Sequence, residues 1–179
     1  MSLRIFLLIL FFSCSAYSYG EIQYLKNDID KLYSEGRCES CNLGQARLSC
    51  KPNYILDGSN LVNARFGYDG SCNGGSFRNS IGTQLSFRTS CASCDFSSSI
   101  LIKSNFEDAN MPHANFSNAN LSGAAFNAAD VSGANFSGAN LASVDFRRAD
   151  LTNAVISEEQ LKKTMHCGAI LPNGTIGEC

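Results

Sequence analysis

The feature that most constrains this chain is a five-residue repeat that fills its second half. Bulky apolar residues stand at every fifth position without a slip, and no regular helix or flat strand has this period. The thirteen repeat centres are Phe96, Leu101, Phe106, Met111, Phe116, Leu121, Phe126, Val131, Phe136, Leu141, Phe146, Leu151 and Ile156. Self-similarity at a fixed short period is typical of repeat architectures.

Each centre lies in the same local context. The residue two positions before it is small, the residue before it is mostly Asn or Asp, and the two that follow are polar or Gly. On an α-helix, five residues turn through about 500°, so the centres would spiral around the axis. On a straight strand, an odd step would place successive centres on opposite faces. A short strand that turns a corner every five residues keeps every centre inside a coil, and Gly suits the corners.

The alternation of Phe with aliphatic centres has a period of ten. It excludes a three-sided coil of fifteen residues and permits a four-sided coil of twenty. Stacked coils would then pair as parallel ladders about 4.8 Å apart, with the two Phe columns facing each other. The predicted columns are Phe96, Phe116 and Phe136; Leu101, Leu121 and Leu141; Phe106, Phe126 and Phe146; and Met111, Val131 and Leu151.

The segments ANFSG, ANLAS and ADLTN carry a resemblance to a known family. They resemble the pentapeptide-repeat family, whose repeat is written A(D/N)LXX, over Cys94 to about Ile156. Departures occur at Ser99-Ile100, Ser104, Ala125 and Val144. The resemblance implies a right-handed quadrilateral β-helix. We therefore predict an all-β repeat fold of this kind, with short helical caps at its N- and C-terminal ends.

The first twenty residues are set apart from the rest. Arg4 precedes an apolar run over 5–12, and small residues follow it, with cleavage expected after Ser18 or Gly20. This layout predicts a secretory signal peptide over 1–20. The apolar run is shorter than the roughly 20 residues that span a bilayer. An uncleaved anchor and a lipoprotein signal that uses Cys14 are the alternatives.

Helical patterns flank the repeat. Ile22, Leu25, Ile29 and Leu32 form one apolar stripe ahead of Gly36, which predicts an N-terminal capping helix over 21–37. A partner-binding amphipathic helix is the alternative.

At the other end, residues 157–160 form the capping box SEEQ. It predicts a helix to about His166 and a disulfide-closed tail within 157–179.

The segment between the N-terminal helix and the regular repeats contains a second, offset match. The stretches CESCNLGQARL and CASCDFSSSIL match at an offset of 53, which is not a multiple of five. Leu56, Leu61, Phe66 and Ile81 are in phase with the repeat, so an insertion over 51–55 is expected to reset it. We expect irregular cysteine-containing coils and loops over 38–93, with GYDGSCNGGS as an exposed loop. The regular β-helix is expected over 94–156.

The cysteines indicate an oxidising compartment. Besides Cys14, the chain has eight: Cys38, Cys41, Cys50, Cys72, Cys91, Cys94, Cys167 and Cys179. An even number in an exported chain predicts disulfides, although eight cysteines allow 105 pairings. Only the Cys167–Cys179 pair is proposed, because its loop is short and turns back. A CxxC before the first repeat and a tail of this kind also resemble the exported branch of the family.

Two chemical alternatives involve the CxxC pairs. Four thiolates could hold a zinc ion, and a CxxC could act as a redox dithiol. Neither is favoured, because an oxidising compartment favours disulfides and both motifs lead into repeat strands rather than helices. His113 and His166 have no partners at the spacing of a catalytic triad. We therefore predict no catalytic, cofactor-binding or metal-binding residue.

Charge limits the classes of partner. Without Arg4, 13 basic residues face 16 acidic ones, a net charge of about −3, which argues against a nucleic-acid binder. We expect an exported, non-enzymatic structural scaffold or protein-interaction module in a periplasm, a lumen or the extracellular space. Its protein partner is unknown, no membrane contact is expected of the mature form, and self-association through the coil ends stays open.

Two alternative functions remain. Some pentapeptide-repeat proteins mimic DNA and bind type II topoisomerases, but they present a markedly acidic rod. Here residues 95–156 carry only six acids against three bases. The other alternative is a thiol-disulfide redox protein, which would require reactive thiols.

Overall fold

The structure is a computed structural model that describes residues 19–179, and the side chains of residues 19–24, 68 and 69 are not described. Cys14 and nearly all of the predicted signal peptide therefore lie outside the described residues. The helices and strands are α1 (Tyr19–Glu35), β1 (Arg47–Cys50), β2 (Arg65–Gly70), β3 (Ser86–Phe87) and α2 (Glu158–Leu161). The three strands form one parallel sheet in chain order.

Most of the backbone lies in a four-sided coil held by single parallel bridges. The same residue of each side forms one bridge to the coil before it and a second bridge to the coil after it. From Ser90 to Ile170 every parallel bridge joins residues 20 apart, as in Asp95–Asn115 and Asn115–Asn135. Four sides of five residues give this spacing, and the predicted β-helix is confirmed.

The first coils belong to the same ladder, although their lengths vary. The bridge from Arg37 to Ile55 spans 18 residues, the next, to Ser76, spans 21, and the next, to Asp95, spans 19. The register between β1 and β2 is irregular, because β2 contains the additional residue of the longer coil. A bulge lengthens one side without breaking the pairing of its neighbours. The coils of the segment 38–93, where irregular coils and loops were expected, vary in length, and the stretch 67–76 is paired with neighbouring coils through β2, Ser71 and Ser76 rather than looped out.

Ile81 shows what the extra residue does to side-chain direction. The five-residue phase places it inside the coil, but its side chain is outward and 45% exposed. A shift of one residue exchanges the two faces of a strand, so Gly82 lies inside instead. The phase shift begins in β2, continues through the buried Phe77 and Phe87, and ends before Cys91, where one side has four residues.

The core is a column of aromatic rings flanked by aliphatic side chains. Rings of successive coils stack, with centroids 4.6 Å apart for Phe77–Phe96 and 5.2 Å apart for Phe96–Phe116. Rings on opposite sides meet edge to face, as for Phe96–Phe106 at 5.9 Å. Both arrangements suit the quadrupole of the ring. The buried phenylalanines are Phe66, Phe77, Phe87, Phe96, Phe106, Phe116, Phe126, Phe136 and Phe146.

Serines replace the small apolar residue at several inward positions. The Ser99 hydroxyl donates to the carbonyl of Phe77 at 2.7 Å, and the Ser104 hydroxyl donates to that of Gly82 at 2.6 Å. Both serines are 1% exposed. A buried hydroxyl is tolerated when it has a hydrogen-bond partner, which explains why these departures from the repeat do not interrupt the coil.

The small inward position can be tested by overfilling it. Ala124 is fully buried, and Ala124→Leu should lower the free energy of unfolding by about 1–3 kcal/mol, since close packing leaves no room for the added carbons. Ala125→Leu, at the neighbouring outward position, is the matched control and should change it by less than about 0.5 kcal/mol. Denaturant melts measure both. Equal effects would contradict the inward assignment of Ala124.

α1 covers the N-terminal end of the coil. Leu32 is fully buried, and Leu25 and Ile29 pack against the core. The Asp28 carboxylate accepts a hydrogen bond from the backbone N–H of Asn42 at 2.7 Å. The helix thus shields a ladder edge that would otherwise be open to another chain.

The C-terminal end is closed by α2 and the tail. Ser157 and Gln160 form a capping box, and the Gln160 amide donates to two carbonyls of the preceding coil. The expected helix to His166 is too long, because the N–H of Met165 donates instead to Val144 in the ladder. The chain then folds back, and Ile170 pairs antiparallel with 176. Neither helix among the described residues has the length and apolarity needed to cross a membrane.

Candidate functional site

Each corner of the coil is a tight turn, and this turn determines where the CxxC motifs bond. The N–H of Cys94 donates to the carbonyl of Cys91 at 3.2 Å, and Ser93 between them has φ +56°. The first and fourth residues of such a turn lie within about 7 Å, inside the range that a disulfide spans. Cys38–Cys41 and Cys91–Cys94 are bonded across corners, with Cα separations of 5.5 and 5.4 Å.

The other four cysteines also pair. Cys50–Cys72 joins the first coil to the second, and Cys167–Cys179 closes the tail. All eight candidate cysteines thus lie in four disulfides in the structure, including the one pair that the sequence analysis singled out. Two of the bonds span corners and two link more distant parts of the chain.

The two CxxC motifs are too far apart to share a zinc ion. Cys38 begins a column of inward residues that continues through Leu56 and Phe77 to Phe96, with one residue in each successive coil. Cys94 lies two residues before Phe96 and is therefore about three coils away from Cys38. Three ladder spacings are about 14 Å. Cys91 and Cys94 are also fully buried, which disfavours a reactive dithiol.

The bridge residues and corner residues form the outer surface. We define the isoleucine face by the bridge column Asn42, Asn60, Ile81, Ile100, Asn120 and Asn140. The asparagine side chains of this face form hydrogen bonds from one coil to the next. The Asn60 amide donates to Oδ1 of Asn42 at 3.0 Å, and the Asn140 amide donates to Oδ1 of Asn120 at 3.2 Å. Between these pairs, Ile81 and Ile100 are 45% and 41% exposed. An apolar centre bordered by amides is suited to contact with another protein.

Three aspartates of the coil form ion pairs with arginines. Asp57 pairs with Arg78 at 2.6 Å, and Asp145 pairs with Arg147 at 2.7 Å. Arg88 also pairs with an aspartate of the next coil. These contacts neutralise part of the acidic charge along the coil.

Two of these pairs lower the pKa of the acid. Hydrogen bonds from Arg147 lower the pKa of Asp145, and burial opposes them only in part. Burial favours protonation of Asp57, but hydrogen bonds from Arg78 and Ser76 outweigh it and lower its pKa too. A carboxyl whose pKa is lowered in the folded state stabilises the fold above its ordinary pKa and loses that contribution in acid.

We therefore expect the free energy of unfolding to fall as the pH drops below about 4, the ordinary pKa of an aspartate. Asp57→Asn/Asp145→Asn should flatten this part of the pH profile and lower stability at neutral pH. Denaturant melts at a series of pH values measure it. An unchanged acid slope in the double variant would mean that these two ion pairs contribute nothing to it.

The histidines do not form a catalytic arrangement among the described residues. His113 is exposed at a corner with φ +60°. His166 contacts the Thr164 hydroxyl through Nδ1 at 3.1 Å. Neither is joined by a cysteine or carboxylate in the hydrogen bonds or ion pairs of the described chain.

Sequence reasoning overlooked two features of this surface. The outward direction of Ile81 depends on coil lengths that the repeat pattern does not reveal. Asp28 was also missed, although a signal existed: it lies three residues after Leu25 and four before Leu32, on the apolar stripe of the capping helix. An acid in such a stripe indicates a specific contact, which is here the first coil.

Comparisons with known proteins place these observations among relatives. A family model described as a pentapeptide repeat region matches residues 87–156. No curated protein matches the chain. Among solved structures, the pentapeptide repeat protein Rfr23 from the cyanobacterium Cyanothece 51142 is similar, at 21% identity and a TM-score of 0.39, covering 79% of this chain and 98% of that one.

Two further structures are similar at lower scores. Full-length QnrB1, a plasmid-mediated fluoroquinolone resistance protein, has 18% identity and a TM-score of 0.34, with 76% of this chain and 82% of that chain covered. A pentapeptide repeat protein from the Arabidopsis thaliana thylakoid lumen has 19% identity and a TM-score of 0.28, with 80% and 86% covered.

Proposed function

Since residues 87–156 form a pentapeptide repeat region, this chain is a pentapeptide-repeat protein, and we propose that it is an exported, non-enzymatic scaffold that binds another protein. The observation that carries the proposal is the isoleucine face. Two exposed isoleucines interrupt an asparagine column on an otherwise rigid, disulfide-braced rod. Such a surface supports binding rather than chemistry.

Both coil ends are covered, which directs the partner to the side of the rod. α1 lies over the first coil, and α2 with the tail lies over the last. Self-association through the coil ends would require these segments to move away. We therefore propose a partner on a lateral face, where the isoleucine face stacks the two exposed isoleucines Ile81 and Ile100 of adjacent coils.

The alternatives have less support. A DNA mimic needs free acidic charge, whereas Asp57, Asp108 and Asp145 are paired with arginines. A redox enzyme needs an accessible cysteine, whereas all eight of the cysteines in the described residues are bonded. The four bonds and the N-terminal sequence pattern support export, and a rigid scaffold suits an extracytoplasmic compartment.

Export is tested by the intact mass of the protein recovered from the exported fraction. We expect a chain that starts near Tyr19 or Glu21 and takes up no alkylating reagent until it is reduced. Eight alkyl groups after reduction would agree with four disulfides. Free thiols before reduction, or retention of the full N-terminus, would contradict the proposal.

Binding is tested with a photo-crosslinking amino acid at position 100 on the isoleucine face. The matched control carries it at position 110, which is exposed on the opposite side of the same coil. We expect a partner that crosslinks only from position 100. Once purified, this partner should bind the Ile81→Asn/Ile100→Asn variant at least about tenfold more weakly than it binds the wild type. The denaturant melt of the variant should match that of the wild type. Equal crosslinking from both positions, or unchanged affinity, would refute the assignment of this face.

A further inference from the structure

A second site lies where α1 meets the first corner. The Cys38 and Cys41 sulfurs and a carboxylate oxygen of Asp28 all lie within 4.8 Å of one another. We propose that, once the Cys38–Cys41 disulfide is reduced, these three side chains bind a thiophilic divalent cation of the zinc type. The inference is independent of the scaffold function, since it concerns the reduced protein and the capped end rather than a lateral face.

The donor set is suited to such an ion. Zn²⁺ accepts thiolate sulfur and carboxylate oxygen in a tetrahedral arrangement, and three protein ligands leave the fourth position to water. Cys38 is fully buried and Cys41 is 5% exposed, so both thiolates would be shielded from solvent. The corner turn already holds the two cysteines at a Cα separation of 5.5 Å.

The carboxylate is oriented before any ion arrives. The Asn42 N–H donates to Oδ2 of Asp28 at 2.7 Å, which directs the carboxylate at the corner. Outer hydrogen bonds of this kind commonly align metal ligands. Asn42 directly follows Cys41 in the chain, so one local segment provides both a ligand and the donor that positions the third ligand.

The second CxxC motif is a natural control within the same chain. Cys91 and Cys94 are bonded across an equivalent corner, at nearly the same Cα separation, and are fully buried. Among the described residues, the Asp28 cluster is the only group of three or more Cys, His, Asp or Glu side chains close enough to hold an ion. The turn alone therefore does not make the site; α1 supplies the third ligand.

The chemistry couples the ion to the redox state. A reducing thiol compound transfers two electrons to the Cys38–Cys41 bond and is itself oxidised to a disulfide, while each cysteine sulfur gains a proton. Binding of the cation then releases those two protons as the sulfurs become thiolate ligands. A disulfide oxidant that accepts two electrons from the two thiolates, and is itself reduced to thiols, would re-form the bond and release the ion, so the disulfide and the metal exclude each other at this corner.

The test uses Co²⁺ as a spectroscopic probe of the full chain, reduced with a phosphine that does not compete as a thiol ligand. The starting variant is Cys91→Ser/Cys94→Ser, which removes the control corner, and circular dichroism verifies that it stays folded when reduced. We expect one equivalent of Co²⁺ to produce a thiolate charge-transfer band, and Zn²⁺ to displace it.

Two further changes in that background decide the matter. Cys38→Ser/Cys41→Ser should abolish the band, and Asp28→Asn, which keeps the side-chain size, should weaken Co²⁺ binding at least about tenfold. A band that persists without Cys38 and Cys41 would assign the ion to other thiols and overturn the proposal. Absence of a band in the folded starting variant, or unchanged affinity in Asp28→Asn, would overturn it as well.

Discussion

Phe126→Ala should lower the free energy of unfolding by about 3–5 kcal/mol, the largest effect expected of any single substitution considered for this protein. The side chain is fully buried. Its ring stacks on Phe106 with centroids 4.7 Å apart and lies 5.3 Å from Phe146. It also meets Phe116 and Phe136 edge to face. Truncation would leave a cavity bordered by four rings that the ladder holds in place.

Denaturant melts of the purified chain measure this cost. Asn110→Ala, on an exposed outward position of a neighbouring coil, is the control and should change stability by less than about 0.5 kcal/mol. A loss below about 1 kcal/mol for Phe126→Ala would mean that the core collapses to fill the space, or that the ring is not in it.

The second large effect concerns the bond between the first two coils. Cys50→Ala/Cys72→Ala should lower the free energy of unfolding by about 3 kcal/mol, since Cys50–Cys72 closes a loop of 22 residues in the unfolded chain. Cys91→Ala/Cys94→Ala is the matched pair. Its bond spans a separation of only three residues, so about 2 kcal/mol is expected.

Melts of the oxidised proteins at equal concentration give both values, and melts of the reduced proteins should bring each variant close to the reduced wild type. A larger loss from the Cys91/Cys94 pair than from the Cys50/Cys72 pair would contradict the loop-length argument. It would indicate instead that strain or packing at the corner decides the contribution of each bond.

The repeat pattern predicts the second half of the fold well, for a physical reason. From Phe96 onward every side of the coil has five residues, so each centre follows from the one before. The pattern fails at Ile81, because one added residue in β2 and one lost before Cys91 shift the phase and then restore it. Such changes are invisible in a count of apolar residues, since Phe77 and Phe87 look equally regular in the shifted phase.

The candidate sites were predictable to different degrees. The corner turn brings residues three apart within disulfide distance, so the bonding of each CxxC to itself could have been derived from the coil alone. The bond between Cys50 and Cys72 could not, because it depends on the lengths of the first two coils. The third member of the proposed metal site, Asp28, comes from a separate helix, and only the packing of that helix brings it to the corner.

The covered N-terminal edge has a consequence for how the protein behaves at high concentration. A parallel coil with a bare edge is a template on which further strands can add, which is how cross-β fibres grow. Here the N–H groups of Asn42 and Ser49 are taken by side chains of α1. The helix therefore prevents further strands from adding to this edge. If a protease cut the chain at the Gly36 bend and α1 dissociated, we expect the exposed ladder edge to template the addition of further strands.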